Sequence, residues 1–165
     1  MLELKRLSKD AVPSALARAE RYRLLNEPAM AESICLDILA VEPDNQAALT
    51  MLLLAITDQF GQEGTGRHAA RAQELIQRLG DEYSRVYYAA LIQERRGRAL
   101  VNSGSATAAR DWLVEALRGF ERAIGLHPAG NEDAILRWNA CARTLERLPA
   151  DTRVTHEPET VILSE

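Results

Sequence analysis

The chain has 165 residues, 47% of them hydrophobic and 27% charged, with a net charge of −4. That length makes one domain or one short repeat array with room for a real core. The acidic balance argues against a general nucleic-acid binder, which carries a basic excess.

With nine Gly, six Pro and 5% aromatics, the composition favours helices throughout. Only Lys5 and Lys9 are lysines and the other basic residues are Arg, a bias usual in GC-rich bacterial genomes. The opening MLELKRLSKD has no continuous apolar run of the kind a secretory signal needs. The longest apolar stretch, Ala47 to Ile56, falls well short of the ~18 residues of a membrane span. A soluble, cytoplasmic protein is expected, with no membrane or nucleic-acid partner. Cys35 and Cys141 lie in apolar helical patterns and read as small buried thiols.

Residues 1–11 form an N-terminal segment, and a helical pattern starts at Val12. Ala19 and Tyr22 mark the core face of a first helix, and Ala31, Cys35 and Ile38 that of a second, which Pro43 ends. The next unit starts at Gln46, with Leu49, Leu52, Leu53 and Ile56 on its first helix and Ala69 and Ile76 on its second. Its turn, QFGQEGTG, carries four extra residues. A third unit starts at Ser84 with Tyr87, Ala90 and Leu91, and its second helix carries Ala116, Phe120 and Ala123 before Pro128.

That third unit is thirteen residues longer, which predicts two long helices joined near Asn102 to Ser105. Gly97 conflicts with a long helix at a cost of about 1 kcal/mol and reads as a kink or an earlier helix end. A last helix over roughly 132–148 should close the stack, with Asn131 as its N-cap and Pro149 as its stop. The remaining residues, 149–165, read as a flexible polar tail ending in the apolar run Val161, Ile162, Leu163. The unit starts at 12, 46, 84 and 131 are spaced by 34 residues, 34 with four extra, and 34 with thirteen extra.

This register, with its small-aromatic-small-proline ending, resembles the tetratricopeptide repeat. The resemblance covers about Val12 to Leu148. It implies an all-α solenoid of three helix hairpins, 12–45, 46–83 and an elongated 84–130, with a capping helix at 131–148. Proteins of this family coil as right-handed superhelices. They serve as non-catalytic scaffolds that hold a peptide or protein in the concave groove lined by each hairpin's first helix.

Carried over residue by residue, the groove positions are Leu16, Glu20 and Arg23, then Thr50, Met51 and Leu54. They continue with Arg85, Tyr88, Ile92, Arg95 and Arg96, and end with Ile135, Asn139 and Arg143. Such a groove, apolar in the middle and Arg-rich toward its C-terminal half, would suit an acidic segment with an apolar anchor. Arg95, Arg96 and Arg98 read more readily as a solvated helix face, and Tyr88 equally as packing between repeats. The subgroup that clamps the terminal carboxylate of chaperone tails is not matched, because Leu16, Glu20, Met51 and Ala89 stand where its polar and basic residues would be.

No catalytic, metal or cofactor site is legible. His68, His127 and His156 lack a ligand partner at helical spacing. His127 reads as a helix-end residue favouring the dipole and His156 as solvated. GQEGTGR lacks the Lys-Ser/Thr ending of a phosphate loop, and no nucleophile signature is present. Trp112 and Trp138 read as core. Two further roles stay open: self-association, as a homodimer using the tail, and regulation of an enzyme.

Overall fold

The computed structural model describes residues 2–150. Among these the fold is all-α. After a short 3-10 turn at Lys9–Ala11 come α1 (Val12–Leu24), α2 (Pro28–Val41), α3 (Gln46–Thr57), α4 (Thr65–Ile76), α5 (Glu82–Asn102), α6 (Ala106–Leu126) and α7 (Asp133–Arg147).

Local chemistry sets most of the boundaries. Pro13 and Pro28 occupy the first turns of α1 and α2, where a missing N–H costs nothing. Asn45 caps α3 by accepting the Ala48 N–H at 2.9 Å, and Asp81 caps α5 by accepting that of Ser84 at 2.8 Å. Proline ends the helices indirectly. Glu42, His127 and Leu148 each precede a proline and each leaves the helical region, with ψ of 80°, 139° and 146°. The turn between α5 and α6 spans residues 103–105, with Gly104 at φ 82°.

One expected cap is displaced. Helix α7 begins at Asp133, so Glu132 holds the N-cap position and makes no side-chain cap bond. Asn131, one residue earlier, accepts the Asp133 N–H at 3.1 Å and also the Tyr83 hydroxyl, which ties it to α5.

Each helix packs on its sequence neighbours, and α1 also touches α3. One core runs from α1 to α7. Ala19, Ala31, Cys35, Ile38, Leu49, Leu53, Leu113, Ala116, Phe120, Ala123 and Cys141 are all fully buried. The residues flanking Phe120 explain its place: small Ala116 and Ala123 let the neighbouring helix approach, and the ring fills the space between, 5.8 Å from Tyr87. Trp112 and Trp138 are half-buried, and only Trp138 packs on the core. Trp112 instead lies under Arg96, whose guanidinium carbon sits 3.9 Å from the ring centre.

Helices α5 and α6, each of 21 residues, make the most extensive contact in the molecule. Gly97 neither kinks nor ends α5. A Cβ on Gly97 would lie 2.8 Å from Leu113 Cγ, so its missing side chain is what lets α6 come close. The same device recurs at Gly119.

Candidate functional site

The odd-numbered helices are joined by side chains rather than by apolar packing alone. Arg23 of α1 donates from Nε to Asp58 Oδ2 at 2.6 Å. Arg95 of α5 donates from Nη1 to Asp58 Oδ1, to the Leu54 carbonyl at 3.1 Å and to the Thr57 hydroxyl at 2.7 Å. Asp58 follows α3 directly, so one carboxylate is shared by arginines from the helices on either side. All three side chains are less than a quarter exposed. Burial pushes the Arg95 guanidinium down, Asp58 opposes this, and the charges of Arg23 and Arg137 add to the lowering. With two arginines on one carboxylate, the cluster carries an excess of positive charge.

Tyr88 of α5 is half-buried and packs against the core. Its ring stands edge-on to Tyr87 with centroids 5.0 Å apart. Burial and neighbouring acidic groups push its phenol up to about 12, against a hydrogen bond with Thr50. Arg23 also reaches Met51, with Nη1 4.0 Å from the sulfur.

The link from α5 to α7 runs through Glu94, which is fully buried. It meets Arg98 of its own helix at 2.9 Å and Arg137 of α7 at 3.5 Å. Burial pushes the Arg137 guanidinium down, but the Glu94 charge and the Tyr87 hydroxyl outweigh it and leave Arg137 above its ordinary value. The even helices carry a parallel tie. Glu32 of α2 accepts from Arg71 of α4 at 2.6 Å and from Gln59 at 2.8 Å.

These contacts place the expected groove residues. Arg23, Met51, Leu54 and Arg95 come together at Asp58, and Tyr88 lies against Tyr87. Arg85 lies apart, donating to the Leu79 carbonyl at 2.7 Å beyond the end of α4. Asn139 is half-buried on α7 and Arg143 is exposed.

Two expectations are corrected. Ile92 is 4% exposed and belongs to the core, so it has no surface to offer a ligand. Arg95 and Arg96 turn to Asp58 and Trp112 rather than forming a solvated face, while Arg98 is exposed and pairs with Glu94. His127 fits its expected place, with its ring Nδ1 against the Ile124 carbonyl at the end of α6. His156 and the tail from 151 onward lie outside the described residues.

Sequence reasoning missed Asp58, and a signal was available. An acid at a helix C-terminus opposes the dipole there, so its presence calls for a cation from elsewhere. Glu94 had no such signal, since QERRGR reads as a solvated charge run until its partners are seen.

Among the described residues no three His, Cys, Asp or Glu side chains are placed to hold a metal. A depression of about 500 Å3 lies on α1 between Ser14, Ala17, Arg18, Arg21, Tyr22 and Leu25. It is open to solvent, and its lining residues make none of the contacts of the Asp58 cluster. No known protein family, curated protein or solved structure matches the chain.

Proposed function

We propose that this protein is a non-catalytic interaction scaffold of the tetratricopeptide type. In this reading three helix hairpins and a closing helix stack as a solenoid, and α1, α3, α5 and α7 line a groove for a peptide or protein partner. The observation that carries it is the run of side-chain links along the odd helices: Arg23 to Asp58 to Arg95, and Glu94 to Arg137. Side chains of this length can meet in that order only when every second helix stands beside the next, which supports a two-layer stack.

The face so formed offers half-buried Leu16, Met51, Leu54 and Ile135, with Arg23, Arg95 and Arg143 around them. It would suit an acidic segment carrying an apolar anchor. Among the described residues no helix is long and apolar enough to cross a membrane. A cytoplasmic location is part of the proposal.

Affinity capture from a cell lysate tests it, comparing the full chain with a Met51→Glu, Arg143→Glu variant of unchanged melting temperature. Loss of a captured partner with the variant supports the groove. A partner retained unchanged, or none captured at all, overturns it.

A further inference from the structure

The acidity of this chain is unevenly placed. Its net charge is −4, and residues 151–165 hold Asp151, Glu157, Glu159 and Glu165 against Arg153, a balance of −3. Residues 1–150 therefore carry only −1. The segment EPETVILSE, 157–165, flanks the apolar run Val161, Ile162, Leu163 with Glu157, Glu159 and Glu165. That is the same chemistry the odd-helix face would accept: a cluster in which Arg23 and Arg95 share one carboxylate, beside half-buried Met51 and Leu54.

The path is short enough. Arg110 of α6 donates to the carbonyls of Leu148 at 3.2 Å and Pro149 at 2.7 Å, which fixes where the chain leaves α7. Helix α7 is tied to α5 through Arg137 and Glu94, and α5 to α3 through Arg95 and Asp58. The exit at Leu148 lies about 16 Å along α7 from Arg137, the level at which α7 meets Glu94 of α5. The Asp58 cluster lies two helices further across, and residues 151–160, which precede Val161, reach about 33 Å when extended. A tether of this length gives a local concentration in roughly the millimolar range, so even weak complementarity is used.

We propose that residues 157–165 seat on the α3–α5 face of their own chain, with Val161 to Leu163 against Met51 and Leu54 and the acids beside Arg23 and Arg95. The tail then acts as a built-in competitor, and an external partner must displace it. This rests on the reading of the odd helices as a groove.

The test is a nitroxide on Ser164→Cys in the full chain, read by amide broadening in nuclear magnetic resonance. Cys35 and Cys141 are 0% exposed, so the new thiol takes the label. The expected result is that amide signals of Met51, Leu54 and Tyr88 fall by at least half. They should recover in Glu157→Gln, Glu159→Gln protein and in high salt. In a mixture of isotope-labelled, untagged chain with tagged, unlabelled chain they should not fall at all. Broadening confined to α7, or equal over α2, α4 and α6, overturns the proposal, as does broadening in the mixed sample. Capture lost in the Met51→Glu, Arg143→Glu variant, with no broadening at the face, would keep the groove and remove the tail from it.

Discussion

Gly119 of α6 faces Ala90 of α5 so closely that a Cβ built on the glycine would lie 2.6 Å from the Ala90 Cβ and 3.3 Å from its Cα. Real side-chain atoms do not approach like that, so the two helices meet at this spacing only because Gly119 has no side chain. Gly119→Ala should therefore destabilise the protein by about 1–3 kcal/mol despite alanine's better helix propensity. Gly97→Ala should cost less, since most of what it would strike is the movable Leu113 side chain. Urea unfolding of both variants checks the order. Adding Ala90→Gly to Gly119→Ala should recover part of the loss, and no recovery would mean that the crossing is not the cause.

Asp58 is expected to matter more than any other surface-proximal acid. Asp58→Ala leaves Arg23 and Arg95 facing each other in a partly buried site, at a cost of about 2–4 kcal/mol. Arg23→Gln should cost less, because Asp58 keeps Arg95. Chemical denaturation of the two variants gives the comparison, and equal losses would show that the carboxylate is not shared.

Glu32 makes stability depend on pH. Burial pushes its carboxyl up, but the hydrogen bonds from Gln59 and Arg71 and the Arg71 charge outweigh that and leave it below its ordinary value of 4.5. A carboxyl depressed in this way binds its proton more readily in the unfolded chain. Its contribution is thus complete above the unfolded value and is lost as pH falls through the folded one. Stability should decline below about pH 4.5, and Glu32→Gln should flatten part of that decline. Denaturation midpoints across the acid range, wild type against variant, decide it.

The two thiols should be inert in the folded state. Burial pushes Cys35 up to about 12 and Cys141 up to about 11, and both side chains are fully enclosed. Alkylation followed by mass spectrometry should show both reacting only through opening of the fold. Cys141 should react first, because α7 lies at the end of the helix order whereas α2 is held between α1 and α3. Rapid labelling of Cys35 in native protein would contradict its placement.

The all-α fold was legible because periodicity speaks directly about burial. Ala116, Phe120 and Ala123 recur on one helix face, and all three are fully buried. Proline placement was legible for the same local reason, since His127 and Leu148 leave the helix ahead of Pro128 and Pro149. The site was less legible. Arg95 and Asp58 are 37 residues apart, and whether they meet depends on how far α5 is rotated against α3, which no local pattern encodes. Ile92 shows the limit most clearly: expected to face a groove, it lies in the core. Gly97 looked like a defect because its benefit comes from Leu113, on another helix.

The shared carboxylate also bears on how the molecule comes apart. Helices that touch only their sequence neighbours can unzip from an end, one pair at a time, because each interface is nearly independent of the rest. Asp58 joins α1 and α5 through one side chain, so losing either end weakens the grip on the other. Unfolding should then proceed as a single cooperative step across α1, α3 and α5 rather than as fraying, and in Asp58→Ala protein the transition should broaden as the ends melt separately.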